Sequence, residues 1–332
     1  MKPNGAPICT LFTSLILICY MYSADTFRYY QYTRILMTLL LLVSVGIFYD
    51  GTNVVNRYRY QLYGDTILYD ESLVTLDTHI LGWLFPHGQL ALYLDTNEYI
   101  GVNSSIGIYY AELLQLFYVS YYVWGNAVCV WLYYIYLFRS TDNKSKIKNY
   151  RRINMFLTTW TGTFMLNFIC NLLYPAVSPR LYLRHEYTNE IHGLFMCDLL
   201  RGALTIAAKG TYSAFPSGHC GQSWIAALIG YRCRNIIHKY CVYILILAAA
   251  LISLATVVMR YHYFVDFIGS LALVCIGAYF GGFQSDHTYE ALLNMNSSDV
   301  NNNHTTNDYI DTDDKHKLSN QYREGIELVV VQ

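Results

Sequence analysis

The chain has 332 residues, of which 54% are hydrophobic and only 14% are charged, and its formal net charge is −1. Soluble domains carry roughly a quarter charged residues, so this deficit indicates a chain whose surface faces lipid. The near-neutral net charge gives no support to nucleic-acid binding, and we expect no nucleic-acid partner. Many of the 34 tyrosines flank apolar runs, where their amphipathic rings suit the headgroup level of a membrane.

Apolar runs recur along the whole chain. The first, at 8–22, is shorter than the about 20 residues of a spanning helix. It also lacks a basic stretch and a cleavage site, so we interpret residues 1–34 as an N-terminal segment with an interfacial or extra helix. Six further runs follow at 35–50, 110–138, 153–174, 218–232, 241–259 and 265–283. They predict an all-α fold, a polytopic transmembrane helical bundle of about six spanning helices formed by residues 35–284.

Basic residues in the loops predict the orientation of this bundle, because cytoplasmic loops are enriched in lysine and arginine. The connector 139–152 carries six such residues and the connector 232–239 carries three. Both are therefore expected on the cytoplasmic side. The polar, acidic tail 285–332 is expected there too, as a disordered extension. Residues 175–217 and the turn at His262 then lie on the non-cytoplasmic side.

The long segment 51–109 is expected on that same outer side. It contains an apolar piece, Ile80–Leu94, that the sequence Pro-His-Gly at 86–88 interrupts, as in an interfacial or re-entrant segment. A tripeptide that begins at Asn103 matches a glycosylation acceptor. A lid over the site is one role for this segment, but no single residue in it argues for that role.

Two cysteines, Cys197 and Cys220, also fall in the outer region, where oxidising conditions permit a disulfide. Sequence spacing does not establish the geometry of such a bond, so the pairing stays open. The chain shows no Cys-x-x-Cys pair and no His/Cys ladder, and a zinc site is therefore not expected.

Three polar sequences interrupt the apolar runs on the outer face. The first motif is Tyr-Pro-Ala-Val-Ser-Pro-Arg at 174–180, the second is Ala-Phe-Pro-Ser-Gly-His at 214–219, and the third is Arg-Tyr-His-Tyr-Phe-Val-Asp at 260–266. The predicted orientation places all three at one rim of the bundle, so we interpret them jointly as a site.

The third motif pairs a histidine with a carboxylate. His262 and Asp266 are four residues apart and share one face of a helix. A carboxylate that accepts a hydrogen bond from one ring nitrogen leaves the other nitrogen free to attack. The simpler alternative is an interfacial ion pair, since an ionisable residue at a transmembrane helix end needs a partner.

The second motif is typical of a helix start, because Pro216 loses nothing in the first turn. The N–H groups at Ser217 and Gly218 would then seat an anion, and Gly218 allows close approach of a phosphate. His219 could protonate a leaving oxygen. The alternative is an ordinary capped helix with a surface histidine.

The first motif ends in Arg180, whose guanidinium can grip two phosphate oxygens at once. Snorkelling at the end of a span is the alternative role for this side chain. Lys209 offers a further phosphate contact, or it lies in a solvated loop.

Taken together, the three motifs resemble the signature of the type 2 phosphatidic acid phosphatase superfamily, which includes lipid phosphatases, glucose-6-phosphatases and sphingolipid synthases. They are most similar to the inositol phosphorylceramide synthase and sphingomyelin synthase-like branch. The stretch 111–118 also looks like an early span of that branch, and the resemblance covers roughly residues 105–283.

The resemblance implies a role for each matching position. His262 matches the nucleophile that forms a phosphohistidine, Asp266 its orienting carboxylate, and His219 the general acid and base. The superfamily needs no metal, so no cofactor is expected. The phosphate-holding residues are then Arg180, Ser217, Gly218 and Arg260.

Two positions depart from the family patterns. The phosphatases have an arginine six residues before the nucleophile, where this chain has Thr256, and its absence favours transfer between lipids over hydrolysis. Arg260, two residues before the nucleophile, matches the sphingomyelin synthases. Gly218 follows the phosphatases and sphingomyelin synthases, whereas the fungal synthases have leucine there, which leaves the donor lipid open.

We therefore expect an integral-membrane lipid phosphotransferase that moves a phosphoinositol- or phosphocholine-type head group from a phospholipid to a ceramide-like acceptor. A lipid phosphate phosphatase and a catalytically inactive membrane binding protein of the same fold are the alternatives. The expected partners are phospholipid and sphingolipid substrates. The expected location is the Golgi, the endoplasmic reticulum or the plasma membrane, with a lumenal or extracellular active site.

Overall fold

The structure, a computed structural model, describes residues 31–207 and 211–282 of the chain. Within these two ranges every regular element is helical, which confirms the all-α fold class for the described part of the chain. The apolar run 8–22, Lys209 and the tail 285–332 lie outside the described residues, and the expectations for them stay predictions.

Ten α-helices form the described part of the molecule. They are α1 (Gln31–Tyr63), α2 (Asp70–Leu81), α3 (Leu90–Thr96), α4 (Ser105–Tyr134), α5 (Asn143–Leu173), α6 (Pro179–Tyr182), α7 (Met196–Ala207), α8 (Gly218–Arg232), α9 (Lys239–Val258) and α10 (Phe264–Phe280).

Over its described residues, each of the six predicted apolar runs coincides largely with one helix, namely α1, α4, α5, α8, α9 or α10. Two helices are long and apolar enough to cross a membrane by length and composition, namely Ser105–Arg139, which includes α4, and Lys239–Val258. Helix α10 is apolar but has 17 residues, and α8 has 15. The helical nature of the runs is confirmed, while the count of about six spans stays a prediction.

Helix α1 is longer than its apolar run and continues to Tyr63. It ends where Gly64 adopts a φ of +63°, the left-handed conformation that commonly terminates helices. The polar second half of α1 forms hydrogen bonds with the end of α5. Asn56 donates to the carbonyl of Asn171 over 2.8 Å, and Arg59 donates to the carbonyl of Leu172. These side chains satisfy carbonyls that the end of α5 leaves without intrahelical partners.

The apolar piece Ile80–Leu94 is broken where its Pro-His-Gly sequence predicts a break. Helix α2 ends at Leu81, a short 3₁₀ turn occupies 86–88, and α3 begins at Leu90. His87 and Gly88 have φ values of +50° and +69°, so the chain reverses there.

Helix α8 lies at the centre of the bundle and packs against α4, α5, α9 and α10. Ile225 and Ile229 on this helix are completely buried. Because the second motif forms the beginning of α8, the bundle packs around the helix that presents His219. Cys220, on the same helix, is free and buried, as is Cys197, so the open question of their disulfide is answered: they are not bonded.

Candidate active site

Backbone hydrogen bonds join the three motifs directly. The N–H of Arg180 in the first motif donates to the carbonyl of Arg260 in the third over 3.0 Å. The N–H of Ala214 in the second motif donates to Ala176 in the first over 3.1 Å, and Ser217 donates to Asp266 over 3.2 Å. The sequences that were interpreted jointly therefore meet at one place, although the first and third lie far apart in the chain.

His262 is held through one ring nitrogen. Its Nδ1 lies 2.8 Å from the carbonyl oxygen of Ala214 and 3.2 Å from Oδ2 of Asp266. A carbonyl oxygen can only accept, so Nδ1 carries a proton, and in the neutral ring Nε2 then has the lone pair. The side chain is 7% exposed and the Asp266 side chain is completely buried. The ring is thus fixed in the tautomer that a nucleophilic Nε2 requires.

Asp266 also organises the backbone next to His262. Its Oδ2 accepts from the N–H of Tyr263 over 2.9 Å, which closes a capping box at the start of α10. Its Oδ1 is buried and has no partner among the described residues. The carboxylate therefore fixes both the imidazole ring and the turn from which α10 begins.

His219 lies in the first turn of α8 and faces His262. The two imidazole centroids are 5.5 Å apart and the rings are tilted by 58°. On the other sides, the rings of Tyr118 and Tyr121 contact His219 with centroid distances of 4.3 and 4.1 Å. The separation of the histidines is short enough for both to contact one phosphoryl group. The two tyrosines were not singled out from sequence, although Tyr118 lies in the stretch that resembles an early family span.

The beginning of α8 has the properties expected of an anion seat. Ser217 is the N-cap and its hydroxyl accepts from the N–H of Cys220 over 3.4 Å. The first N–H groups of a helix, here at Gly218 and His219, have no intrahelical acceptor and lie at the positive end of the helix dipole. This end of α8 lies beside His262, because Ser217 is bonded to the backbone of Asp266.

Gly218 borders open space between α5, α8 and α10. A Cβ atom there would lie 4.0 Å from both Asn167 and Phe164, which is ordinary van der Waals distance. These residues line a small, partly open pocket. Packing within the protein therefore does not require glycine at this position, and the small residue keeps the helix start accessible.

Arg180 is connected to His219 by a series of contacts between aromatic rings. Its guanidinium lies 5.1 Å from the ring centroid of Tyr261, which stacks on Tyr118 at 4.2 Å, the same ring that stacks on His219. Its Nη1 donates to Thr205 over 3.2 Å. Burial lowers the pKa of Arg180, and the neighbouring charge of Arg201 lowers it further.

Arg201 is a second guanidinium at the same ring that sequence reasoning missed. It lies 5.6 Å from the centroid of Tyr261 and donates to the carbonyl of Met259 over 3.0 Å. Among residues 31–207 and 211–282, neither Arg180 nor Arg201 forms an ion pair with a carboxylate. Two like charges that share one ring, with no carboxylate partner in the described part of the chain, favour the binding of an anion beside them. The available signal was the single arginine of the amphipathic stretch Met196–Ala207, which lies between the first two motifs.

Arg260 is placed differently from the expected phosphate contact. Its Nη2 lies 2.7 Å from Oδ1 of Asp95, with side-chain exposures of 4% and 0%. Its Nη1 donates to the carbonyl of Asn189 over 2.8 Å, and its guanidinium lies 3.9 Å from the ring centroid of Tyr187. Arg260 thus has a carboxylate partner of its own, so the structure places it in a buried ion pair. The expectation that it holds phosphate finds no support in its contacts.

Thr256 occupies the position where the phosphatases have an arginine. It is completely buried and its hydroxyl donates to the carbonyl of Ser253 over 2.7 Å. Its Oγ1 also contacts Sγ of Cys220 at 3.5 Å. The position therefore fills packing space behind α8 and supplies no positive charge to the site.

Comparison with known proteins agrees with this geometry. The model of the PAP2 superfamily matches residues 91–280, a range that contains all three motifs. This chain belongs to the PAP2 superfamily. Members of the PAP2 superfamily are generally enzymes that act on lipid phosphates. The two apposed histidines near Arg180 and Arg201 are consistent with such chemistry.

A PA-phosphatase related-family protein of Dictyostelium discoideum is 32% identical to the chain over 281 residues. The alignment covers 82% of this chain and 50% of that protein, so the chain spans about half the length of this relative. No solved structure matches the chain. The superfamily expected from the motifs is confirmed, while the synthase-like branch stays a prediction.

Proposed function

We propose that this chain is an integral-membrane lipid phosphotransferase, similar to the inositol phosphorylceramide and sphingomyelin synthases, with His262 as its nucleophile. The observation that carries the proposal is the hydrogen-bonded state of His262. Its Nδ1 contacts Ala214 and Asp266, while no described residue forms a hydrogen bond with its Nε2. A second histidine, His219, faces it at a centroid distance of 5.5 Å. One nucleophile and one acid/base are what a two-step transfer requires.

In the first step Nε2 of His262 attacks the phosphorus of a phospholipid, and the bond from phosphorus to the diacylglycerol oxygen breaks. His219 gives its proton to that oxygen, so that diacylglycerol leaves and the phospho-head group stays on His262. Asp266 stabilises the positive charge that the imidazole ring acquires. The helix start at Ser217 and Gly218 faces the developing negative charge on the phosphoryl oxygens.

In the second step His219 accepts the proton of a ceramide-like hydroxyl, whose oxygen attacks the phosphorus and releases His262. Arg180 and Arg201 supply positive charge for the phosphate in both steps, since neither is neutralised by a carboxylate of the described residues. This assignment puts Arg201 where sequence analysis had put Arg260.

A lipid phosphate phosphatase is the second candidate function. In that case water takes the place of the acceptor hydroxyl in the second step, with the same residues. The name of the Dictyostelium relative favours this candidate, whereas Thr256 in place of the phosphatase arginine favours transfer. A catalytically inactive binding protein is the third candidate, and the preserved geometry of His219, His262 and Asp266 argues against it.

The basic connectors 139–152 and 232–239 support a site on the non-cytoplasmic side, in the Golgi, the endoplasmic reticulum or the plasma membrane. Labelling tests this side directly. In sealed vesicles a membrane-impermeant maleimide should label only one of two introduced cysteines, one at exposed His185 and one at exposed Thr141. The labelled cysteine is the one on the side of the membrane that faces the medium. Equal labelling of both positions in sealed vesicles would contradict the proposed orientation.

One assay separates the three candidate functions. Membranes that contain the wild-type chain receive labelled ceramide together with phosphatidylinositol or phosphatidylcholine, and in parallel labelled phosphatidic acid. A polar-headed ceramide product supports transfer, free phosphate supports hydrolysis, and neither product supports the binding protein. The variant His262→Ala should abolish either product while the protein remains inserted. Retained turnover would refute His262 as nucleophile.

A further inference from the structure

Three buried aspartates occur in the segment 70–95, which sequence analysis left without a residue-level role. Asp70 and Asp77 are completely buried and Asp95 is 3% exposed. A buried carboxylate is costly unless it is hydrogen-bonded or paired. The partners of all three lie on loops and helix starts around the candidate active site, so this segment is bonded to the site at several points.

Asp77 binds the start of the helix that follows the nucleophile. Its Oδ1 accepts from the N–H of Val265 over 2.8 Å and its Oδ2 from the N–H of Phe264 over 3.0 Å. These are the first two residues of α10, and their N–H groups have no intrahelical acceptor. The carboxylate also places negative charge at the positive end of the helix dipole. Asp77 thus serves as a cap that comes from another helix.

The carboxylate of Asp77 is itself held in place. Nε2 of Gln89 donates to its Oδ2 over 2.7 Å. Gln89 reaches this position because the preceding Gly88 has a φ of +69° and packs directly on the backbone of Asp77. A Cβ atom at Gly88 would lie 2.1 Å from the Asp77 carbonyl oxygen, so only glycine fits there. The break at 86–88 therefore orients the carboxylate that caps α10.

Asp70, on the same face of α2 and two turns earlier, bonds to the residue that directly follows His262. Its Oδ1 accepts from the hydroxyl of Tyr263 over 2.7 Å, and its Oδ2 accepts from the N–H of Val177 in the first motif over 3.1 Å. Helix α2 thus contacts each of the three residues after the nucleophile, which are Tyr263, Phe264 and Val265. Contacts from α2, outside the third motif, therefore fix the backbone that directly follows His262, and with it the orientation of the His262 side chain.

From these contacts we infer that Asp77 is a positioning residue for the phosphotransfer step, acting through the first turn of α10 on the direction of His262 Nε2. The inference rests on the proposed function of His262 as nucleophile. Asp77 does not contact the phosphorus, and its effect is on alignment. Misplacement of a reacting group by about 1 Å can cost about 100-fold in rate.

The variants of Asp77 are expected to lower kcat and to leave KM nearly unchanged. Asparagine offers one acceptor oxygen in place of two, so Asp77→Asn keeps one of the two backbone bonds and should lower kcat about tenfold. Asp77→Ala keeps neither bond and should lower kcat about 100-fold. The rate at which the phosphorus is transferred to His262 in a single turnover should fall by the same factors, while KM stays within about twofold.

The experiment uses the full chain purified in neutral detergent. The labelled donor is phosphatidylinositol, phosphatidylcholine or phosphatidic acid, whichever of these the wild type converts. Rates are expressed per folded molecule, counted from the monodisperse peak in gel filtration. The matched control is Glu71→Gln, which removes an exposed carboxylate from the same helix and should keep wild-type kcat. If the Asp77 variants do not fold, Gln89→Met replaces them, since it keeps the volume, removes the donor to Oδ2 and should lower kcat several-fold.

Wild-type kcat in Asp77→Asn and Asp77→Ala, or in Gln89→Met where that variant is used, would overturn the inference. So would a raised KM with an unchanged single-turnover rate, because that pattern belongs to substrate binding. A wild-type protein that forms no phosphorylated histidine and no product would refute the proposed function and this inference with it. An active wild type with unaffected Asp77 variants would refute the positioning role alone.

Discussion

The Nδ1 atom of His262 lies 2.8 Å from the carbonyl oxygen of Ala214. This bond joins the third motif to the second and fixes the tautomer of the imidazole ring, because a carbonyl oxygen has no proton to give. The neighbouring carboxylate of Asp266 accepts from the same nitrogen at 3.2 Å. The geometry therefore determines which of the two ring nitrogens reacts.

We predict that the phosphorus–nitrogen bond forms at Nε2 and not at Nδ1. The phosphorylated enzyme should be trapped by an alkaline quench during turnover, digested, and separated into the two phosphohistidine isomers. Only the Nε2 isomer is expected, and it should be absent from His262→Ala. Recovery of the Nδ1 isomer would contradict the hydrogen-bonded tautomer, and label on any other residue would contradict the assignment of His262.

The role of His219 predicts a dependence on the leaving group. Removal of a general acid typically costs 10²–10⁴-fold in rate when an alkoxide leaves, and much less when the leaving oxygen needs no proton. In the single-turnover phosphorylation of His262, His219→Ala should therefore lose about that factor with the lipid donor, and about tenfold or less with a 4-nitrophenyl ester of the same head group. His185→Ala, which alters a side chain that is 75% exposed, is the control. Equal losses on both donors would show that His219 acts in binding or folding.

Arg201 and Arg260 should respond in opposite ways to substitution. Charge-assisted hydrogen bonds are worth about 1.5–3 kcal/mol, so Arg201→Ala should lower kcat/KM about 10- to 100-fold with little change in Tm. Arg260→Ala leaves the Asp95 carboxylate buried without its cation, which costs about 3–5 kcal/mol of stability. Burial raises the pKa of Asp95, but the hydrogen bonds of Thr188 and the charge of Arg260 outweigh this and lower it.

Kinetics and thermal unfolding of the same preparations check the contrast. Exposed Arg184→Ala should change neither kcat/KM nor Tm. A fall in kcat/KM without destabilisation in Arg260→Ala would restore the phosphate role that the sequence suggested for it. A Tm drop in Arg201→Ala at unchanged kcat/KM would remove Arg201 from the site.

Sequence was sufficient for those parts of the fold and site that depend on local patterns. The six apolar runs fall in helices, and the three motifs meet because each lies where an apolar run ends or begins on one predicted rim. The contacts of Asp77 could not be predicted from the sequence, because its partner Val265 is 188 residues away and no local pattern indicates that the two residues pair. The same holds for Arg260, whose position beside His262 suggested phosphate, while a buried carboxylate 165 residues away binds it.

A pH dependence of stability follows from Asp70, which lies on α2 and outside the two candidate spans. Burial raises the pKa of its carboxyl from 3.8 to about 6, although hydrogen bonds from Tyr263 and Val177 oppose the rise. Between about pH 4 and pH 6 the folded protein keeps a proton that the unfolded chain has already released. The free energy of unfolding should therefore fall as the pH rises through this window, by on the order of 3 kcal/mol.

Asp70→Asn removes the titrating group and should flatten this part of the curve. Absolute stability will also differ, because the amide nitrogen cannot accept from Val177, so the quantity to compare is the slope of Tm against pH from 4 to 7 in a neutral detergent. Glu71→Gln, an exposed neighbour on the same helix, should keep the wild-type slope. Parallel curves for the wild type and Asp70→Asn would mean that Asp70 is already ionised at pH 4 in the folded protein, and that its bonds to Tyr263 and Val177 outweigh the cost of burial.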